Sequence, residues 1–158
     1  MAPDHHLTAS QVRPVGAEDV RPLRHSILRP GRPWEETAFP GDADPETVHL
    51  AAFDGDRLVG IASLYREPRP AKADGWRLRG MGTAEDARGR GAGRALLAAC
   101  VAHVAAHGGG ELWCNARAPA ASFYRAAGFS VLSGEFEIPG IGPHVVMSLD
   151  VPAARPAS

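Results

Sequence analysis

At 158 residues the chain suits one globular domain and is too short for two ordinary ones. With 44% hydrophobic and 22% charged residues, it has the make-up of a soluble protein with a core. A net charge of −1 argues against a protein built for duplex DNA or an anionic membrane, which would be more basic overall or carry a basic face.

Residues 1–10 lack a basic start followed by an apolar core, so they do not read as a signal peptide and are expected to be a flexible lead-in. No stretch approaches the roughly 20 apolar residues of a spanning helix. Residues 11–15 form a short β-like run. Val20, Leu23 and Ile27 recur at helical spacing, which predicts a helix after Glu18 and Asp19, where a helix N-terminus favours negative charge. Residues 29–33 end it, and residues 34–46 read as a long loop. Residues 49–53 and 58–65 read as a hairpin with Asp54-Gly55 as its turn dipeptide. A loop over 67–74 leads to a strand over 76–83, with Trp76 and Leu78 on one side and Arg77, Arg79, Met81 and Thr83 on the other. Gly80 and Gly82 weaken that strand and predict a bulge or a close ligand approach.

Residues 92–107 carry Leu96, Leu97, Cys100, Val101 and Val104 as one helical stripe, stopped by Gly108, Gly109 and Gly110. Residues 112–114 read as a short buried strand. Pro119 fits the first turn of the next helix and Gly128 its C′ position. Strands over 129–132, 135–138 and 145–149 close a single domain expected over 11–150, and 151–158 are expected as a flexible tail. This order is a mixed α/β sheet without the strict alternation of a doubly wound fold.

The unit that carries chemistry is a strand, then Arg88-Gly89-Arg90-Gly91-Ala92-Gly93, then a helix. The first turn of a helix has unpaired N–H groups and the positive end of the macrodipole. Gly91 and Gly93 let the backbone reach phosphate oxygens, and Arg88, Arg90 and Arg94 can add charge-assisted hydrogen bonds. A P-loop would end Gly-Lys-Ser/Thr, whereas this helix opens Gly93-Arg94-Ala95; the dinucleotide fingerprint lacks its final glycine spacing. A flexible solvated loop is the plain alternative on these residues alone.

The loop, continued by Leu96-Leu97, resembles the pyrophosphate loop of the GCN5-related N-acetyltransferase (GNAT) family. The likeness goes on through 112–117, similar to that family's fifth strand, and through 120–129, similar to its helix with Phe123-Tyr124 and the Gly128-Phe129 ending. The resemblance implies an acyl-CoA N-acyltransferase fold: a central, mostly antiparallel sheet of about seven strands, helices on both faces, and splayed fourth and fifth strands with the pantetheine arm lying there. It implies cofactor contacts at Met81, Gly82, Thr83, the loop from Arg88 to Arg94, Asn115, Phe123 and Tyr124.

The implied reaction is direct acetyl transfer from acetyl-CoA to a primary amine of a small molecule or peptide, in a ternary complex. That chemistry needs a proton acceptor for the amine, a donor for the oxyanion and an acid for the thiolate. Tyr124 matches the family's general acid, and a phenol with pKa about 10 suits a leaving thiolate. A backbone N–H at Met81 or Gly82 is the natural oxyanion donor. Many relatives place a Glu on the fourth strand; here Arg77 and Arg79 stand there, so the base is open among Glu67, Glu135, Glu137, His144 and a water chain. Asn115 departs from the common spacing, which puts an Asn seven residues before the Tyr, where this chain has Arg117.

Arg77, Arg79 and His144 are the candidates to contact the acceptor, with His144 in a Gly/Pro turn over 139–144. An ion pair or a solvated edge is the plain alternative for the two arginines. His103 and His107 lie four apart on a helix without a zincin pattern, and Cys100 and Cys114 lack zinc spacing, so no metal is expected. No nucleic acid or membrane partner is expected; the protein is expected to be cytoplasmic, and a monomer or homodimer. The alternative function is a non-catalytic module of the same fold that senses CoA or acyl-CoA.

Overall fold

The structure is a computed structural model and describes residues 6–154. Its contacts divide it into two compact units, Met1–Tyr65 with Leu78–His103, and Arg66–Arg77 with Val104–Ser158. Among the described residues eight strands form a mixed sheet, matching the eight strand segments read from the sequence.

In the first unit, β1 (Val12–Val15) pairs antiparallel with β2 (Val48–Asp54), and β2 pairs antiparallel with β3 (Arg57–Tyr65). β3 is bonded in turn to β4 (Trp76–Thr83). The β2–β3 register pairs Asp54 with Arg57, so the turn residues are Gly55 and Asp56. Gly55 takes φ +61°, as a tight hairpin requires. The turn therefore falls one residue later than the Asp54-Gly55 dipeptide suggests.

Helix α1 (Ala17–Leu23) starts ahead of the acidic pair, which lies in its first turn, and the Asp19 carboxylate accepts the Gly16 N–H at 2.8 Å. Pro22 has no N–H for the carbonyl one turn back, and the α-helical ladder ends at Leu23. The chain then widens into a π turn, Arg24–Leu28, closed by Arg29 N–H to the Arg24 carbonyl at 2.9 Å. The single helix expected through Ile27 is thus two kinds of helix. The loop expected over 34–46 contains a short 3₁₀ turn, Trp34–Thr37.

β3 is covered on both faces. A Cβ on Gly60 would stand 3.0 Å from Leu96 Cδ1 of helix α2 (Ala92–Ala106), while Ser63 and Tyr65 meet the Arg24 guanidinium. Alternation along the strand puts α2 and the π turn on opposite faces. Val59, Ile61, Ala62 and Leu64 are fully buried there.

In the second unit, β5 (Gly110–Arg117) pairs antiparallel with β8 (Gly142–Val151) over all eight of its positions. That partner extends β5 well beyond the three residues that its apolar core suggests. Helix α3 (Ala121–Ala126) ends as expected, with Gly128 at φ +100° and the Phe129 N–H on the Tyr124 carbonyl at 3.0 Å. β6 (Ser130–Val131) and β7 (Phe136–Ile138) both pair with β8. The first two residues of β4 lie in this unit and pair parallel with β5, Trp76 with Leu112 and Arg77 with Trp113.

The tail is tied down further than expected: Val151 is buried and the Ala154 N–H bonds to the Ala105 carbonyl at 2.8 Å. A Cβ on Gly109 would meet the Val151 carbonyl at 2.5 Å, so that glycine makes room for the tail as well as stopping α2. Residues 155–158 and 1–5 of the expected flexible ends lie outside the described residues.

Candidate active site

A 3₁₀ turn, Glu85–Ala87, follows β4, and Arg88 leaves it in an extended conformation. Gly89 and Gly91 then take φ of +81° and +87°. A Cβ at Gly89 would meet nothing within 4 Å, so its backbone conformation, not space, demands glycine there. The first bond of α2 is Ala95 N–H to the Gly91 carbonyl at 2.9 Å. The N–H groups of Ala92, Gly93 and Arg94 precede it at the positive end of a 15-residue helix. Glycine geometry, helix end and the exposed Arg88 and Arg94 together fit a pyrophosphate.

Arg90 differs from its neighbours. Its Nη1 donates to Asp54 Oδ2 at 2.8 Å, and its side chain is 17% exposed. The sequence offers three arginines to the anion, and the structure turns this one toward the β2–β3 turn.

On β4, Met81, Gly82 and Thr83 are half-buried. Gly80 takes φ +67°, and a Cβ there would meet Phe39 at 3.2 Å and Arg24 Nε at 3.3 Å. Gly80 thus marks a distortion and a close approach, and the neighbours there are protein side chains. Gly82 lies against Ile27 and Leu28. An open hollow of about 490 Å³ is lined by Leu23, Ser26, Ile27, Arg57, Ala84, Glu85 and Asp86.

Arg79 lies with its guanidinium 4.3 Å over the Phe39 ring. Arg77, in the second unit, donates to Glu67 Oε2 at 2.9 Å and sits 4.9 Å over the Trp113 ring. Glu67 is therefore engaged as an ion-pair partner, as is Arg77.

Tyr124 is 8% exposed on α3, with the Phe123 and Phe129 rings edge-on at 5.1 and 5.4 Å. Asn115 is half-buried on β5 opposite Val146, and Arg117 is exposed opposite His144. His144 is buried; its Nδ1 lies 2.7 Å from the Gly142 carbonyl. A carbonyl can only accept, so Nδ1 carries hydrogen and Nε2 is the acceptor of the neutral ring. Glu135 and Glu137 are exposed.

One buried network has no sequence signature. Arg24 donates to Asp42, the Thr37 carbonyl, Ser63 and Tyr65, and its guanidinium lies 4.0 Å over Phe39. The Tyr65 hydroxyl donates to Asp42 Oδ1 at 2.6 Å. Burial and then that bond push the Tyr65 phenol up to about 12. His49 Nε2–H donates to the Asp42 carbonyl at 3.0 Å, so Nδ1 accepts the Ser63 hydroxyl at 2.7 Å. Arg24 sits on a helix among charged residues, and Asp42 sits in a stretch that reads as loop. Periodicity cannot distinguish them from solvated charges.

Cys100 and Cys114 are buried free thiols, and burial pushes both up to about 12. No group of three or more His, Cys, Asp or Glu side chains among the described residues could hold a metal. Among those residues no helix is long and apolar enough to cross a membrane.

The profile of the acetyltransferase (GNAT) domain matches residues 12–151. The chain is 36% identical to an uncharacterized N-acetyltransferase, YitI, of Bacillus subtilis (strain 168), over 87% of this chain and 93% of that protein. Its fold is similar to that of a ribosomal-protein alanine N-acetyltransferase from Escherichia coli, with TM-score 0.71 and 20% identity over 91% of this chain and 95% of that one. An aminoglycoside 6′-N-acetyltransferase complexed with coenzyme A superposes with TM-score 0.65 and 17% identity, over 92% and 99% of the two chains. With the loop, strand and helix motifs all in this fold, the chain belongs to the GNAT family and is an acetyltransferase.

Proposed function

We propose that the chain transfers the acetyl group of acetyl-CoA to a primary amine of a small molecule or peptide, by direct attack in a ternary complex. The observation that carries the reading is the loop from Arg88 to Gly93, with Gly89 and Gly91 at positive φ ahead of the α2 N-terminus. Acetyl-CoA supplies the activated thioester. The solved relative complexed with coenzyme A supports the choice of donor.

In this reading Arg88, Arg94 and the N–H groups of 89–93 bind the pyrophosphate. The main chain from Met81 to Thr83 aligns the pantetheine arm, and the N–H of Met81 or Gly82 donates to the thioester oxygen as charge grows on it. Asn115 and Phe123 complete the cofactor contacts. Tyr124 protonates the departing thiolate; its burial suits a proton donor sheltered from water. Glu67 is bound to Arg77, and the base is drawn from Glu67, Glu135, Glu137, His144 or ordered water. Arg77, Arg79 and His144 remain the acceptor-side residues of this reading. No metal, nucleic acid or membrane takes part. Two unpaired thiols support a cytoplasmic protein.

Acceptors in the family range from an aminoglycoside to a ribosomal-protein alanine in the two solved relatives above. Thiol release from acetyl-CoA across a panel of amines, with mass spectrometry of the products, tests the reading. Release matched by an acetylated amine supports it; acetyl-CoA hydrolysis without an acetylated product contradicts it.

A further inference from the structure

Arg90 is gripped at both its main chain and its side chain by segments remote in sequence. Its carbonyl accepts the Leu7 N–H at 2.7 Å and lies 3.2 Å from His6 Nδ1. Its guanidinium donates to Asp54 at 2.8 Å. Leu7 is 4% exposed, so its side chain anchors the grip in the core. A Cβ on the next residue, Gly91, would stand 3.3 Å from the Leu7 carbonyl, so the segment lies directly against the loop. A second strut runs parallel: Arg57, the hairpin partner of Asp54, donates to Asp86 at 2.7 Å. Asp86 and Arg90 flank Arg88-Gly89 on either side.

We propose that Leu7 and Asp54 are positioning residues for the pyrophosphate loop, bracing Arg90 so that the N–H groups of 89–93 stay converged before the cofactor arrives. The reason is entropic. Gly89 and Gly91 give the backbone freedom that a free loop would have to lose on binding. Fixing the residue between them, at its carbonyl and at its guanidinium, removes that freedom in advance. Arg90 thereby acts on the anion through loop shape, leaving Arg88 and Arg94 as the exposed cations. Leu7 lies ahead of the 12–151 stretch that the GNAT profile matches. This proposal rests on the pyrophosphate reading of the loop for its consequence and not for its geometry.

The test uses the full chain with Asp54→Ala, Asp54→Asn and Leu7→Pro, the last removing the N–H while keeping an apolar side chain. Amide hydrogen exchange of residues 89–93 is read without ligand, and the calorimetric Kd for CoA and steady-state kinetics with acetyl-CoA follow. Asp54→Ala and Leu7→Pro should each speed exchange in the loop and raise Kd and KM by about threefold to tenfold, with kcat within about twofold of the parent. Asp54→Asn, which keeps an acceptor, should fall between Asp54→Ala and the parent. Unchanged exchange in both disruptive variants, or a loss confined to kcat, overturns the brace. A parent protein that fails to bind CoA counts against the pyrophosphate reading instead, and the exchange data still decide the brace.

Discussion

Arg24 and Asp42 form a buried two-nitrogen, two-oxygen pair, with Nη1–Oδ2 at 2.7 Å and Nη2–Oδ1 at 3.1 Å, and the arginine side chain is wholly shielded from solvent. Removing one partner of such a pair strands the other charge in a medium that cannot solvate it. Asp42→Ala is expected to lower stability by about 3–5 kcal/mol in urea unfolding. A loss under about 1 kcal/mol would mean that water reaches Arg24 on its own.

The same pair sets an acid limit. Burial raises the Asp42 carboxyl, but hydrogen bonds from Arg24, Tyr65 and the Phe39 N–H together hold it below the usual carboxylate range. A depressed folded-state pKa contributes stability that is complete above the unfolded value of about 3.9 and drains as pH falls through the lower folded value. Unfolding free energy should therefore fall below about pH 4, and in Asp42→Asn that part of the slope should vanish. An unchanged slope would assign the acid loss to other carboxylates.

Gly91→Ala puts a Cβ at φ +87° and 3.3 Å from the Leu7 carbonyl. Backbone strain of about 1–2 kcal/mol is expected, together with weaker CoA binding. Gly89→Ala has open space but φ +81°, so it should show the strain without the collision. Equal CoA affinity in both variants and the parent would show that the left-handed turns do not shape the site.

Tyr124→Phe keeps the ring packed between Phe123 and Phe129 and removes the hydroxyl alone. Turnover should fall about a hundredfold while the Kd for CoA stays within about twofold. Equal losses in both would make Tyr124 a packing residue.

Much of the fold was legible because its signals are local. The stripe of Leu96, Leu97, Cys100, Val101 and Val104 announced α2; Val101 is half-buried and the other four are buried. Gly128 announced the end of α3, and its φ of +100° explains why. Tertiary effects were not legible. β5 runs to Arg117 because β8 pairs with it, although residues 115–117 carry no apolar run. Pro22 gave no hint that a π turn follows it. At the candidate site the loop and Tyr124 were readable from motif order, but the partners of Arg77 and Arg90 were not. Glu67 and Asp54 lie 10 and 36 residues away, and charge patterning has no reach over such separations.

The central claim is that the loop from Arg88 to Gly93 binds the donor of an acetyl transfer. Calorimetry of the parent protein with CoA, run beside thiol release from acetyl-CoA over the amine panel, tests it most directly. Saturable CoA binding that Gly91→Ala weakens is expected, with thiol release matched by acetylated amine. No CoA binding would contradict the claim outright, and saturable binding with no transfer to any amine would make the chain a CoA-binding module instead.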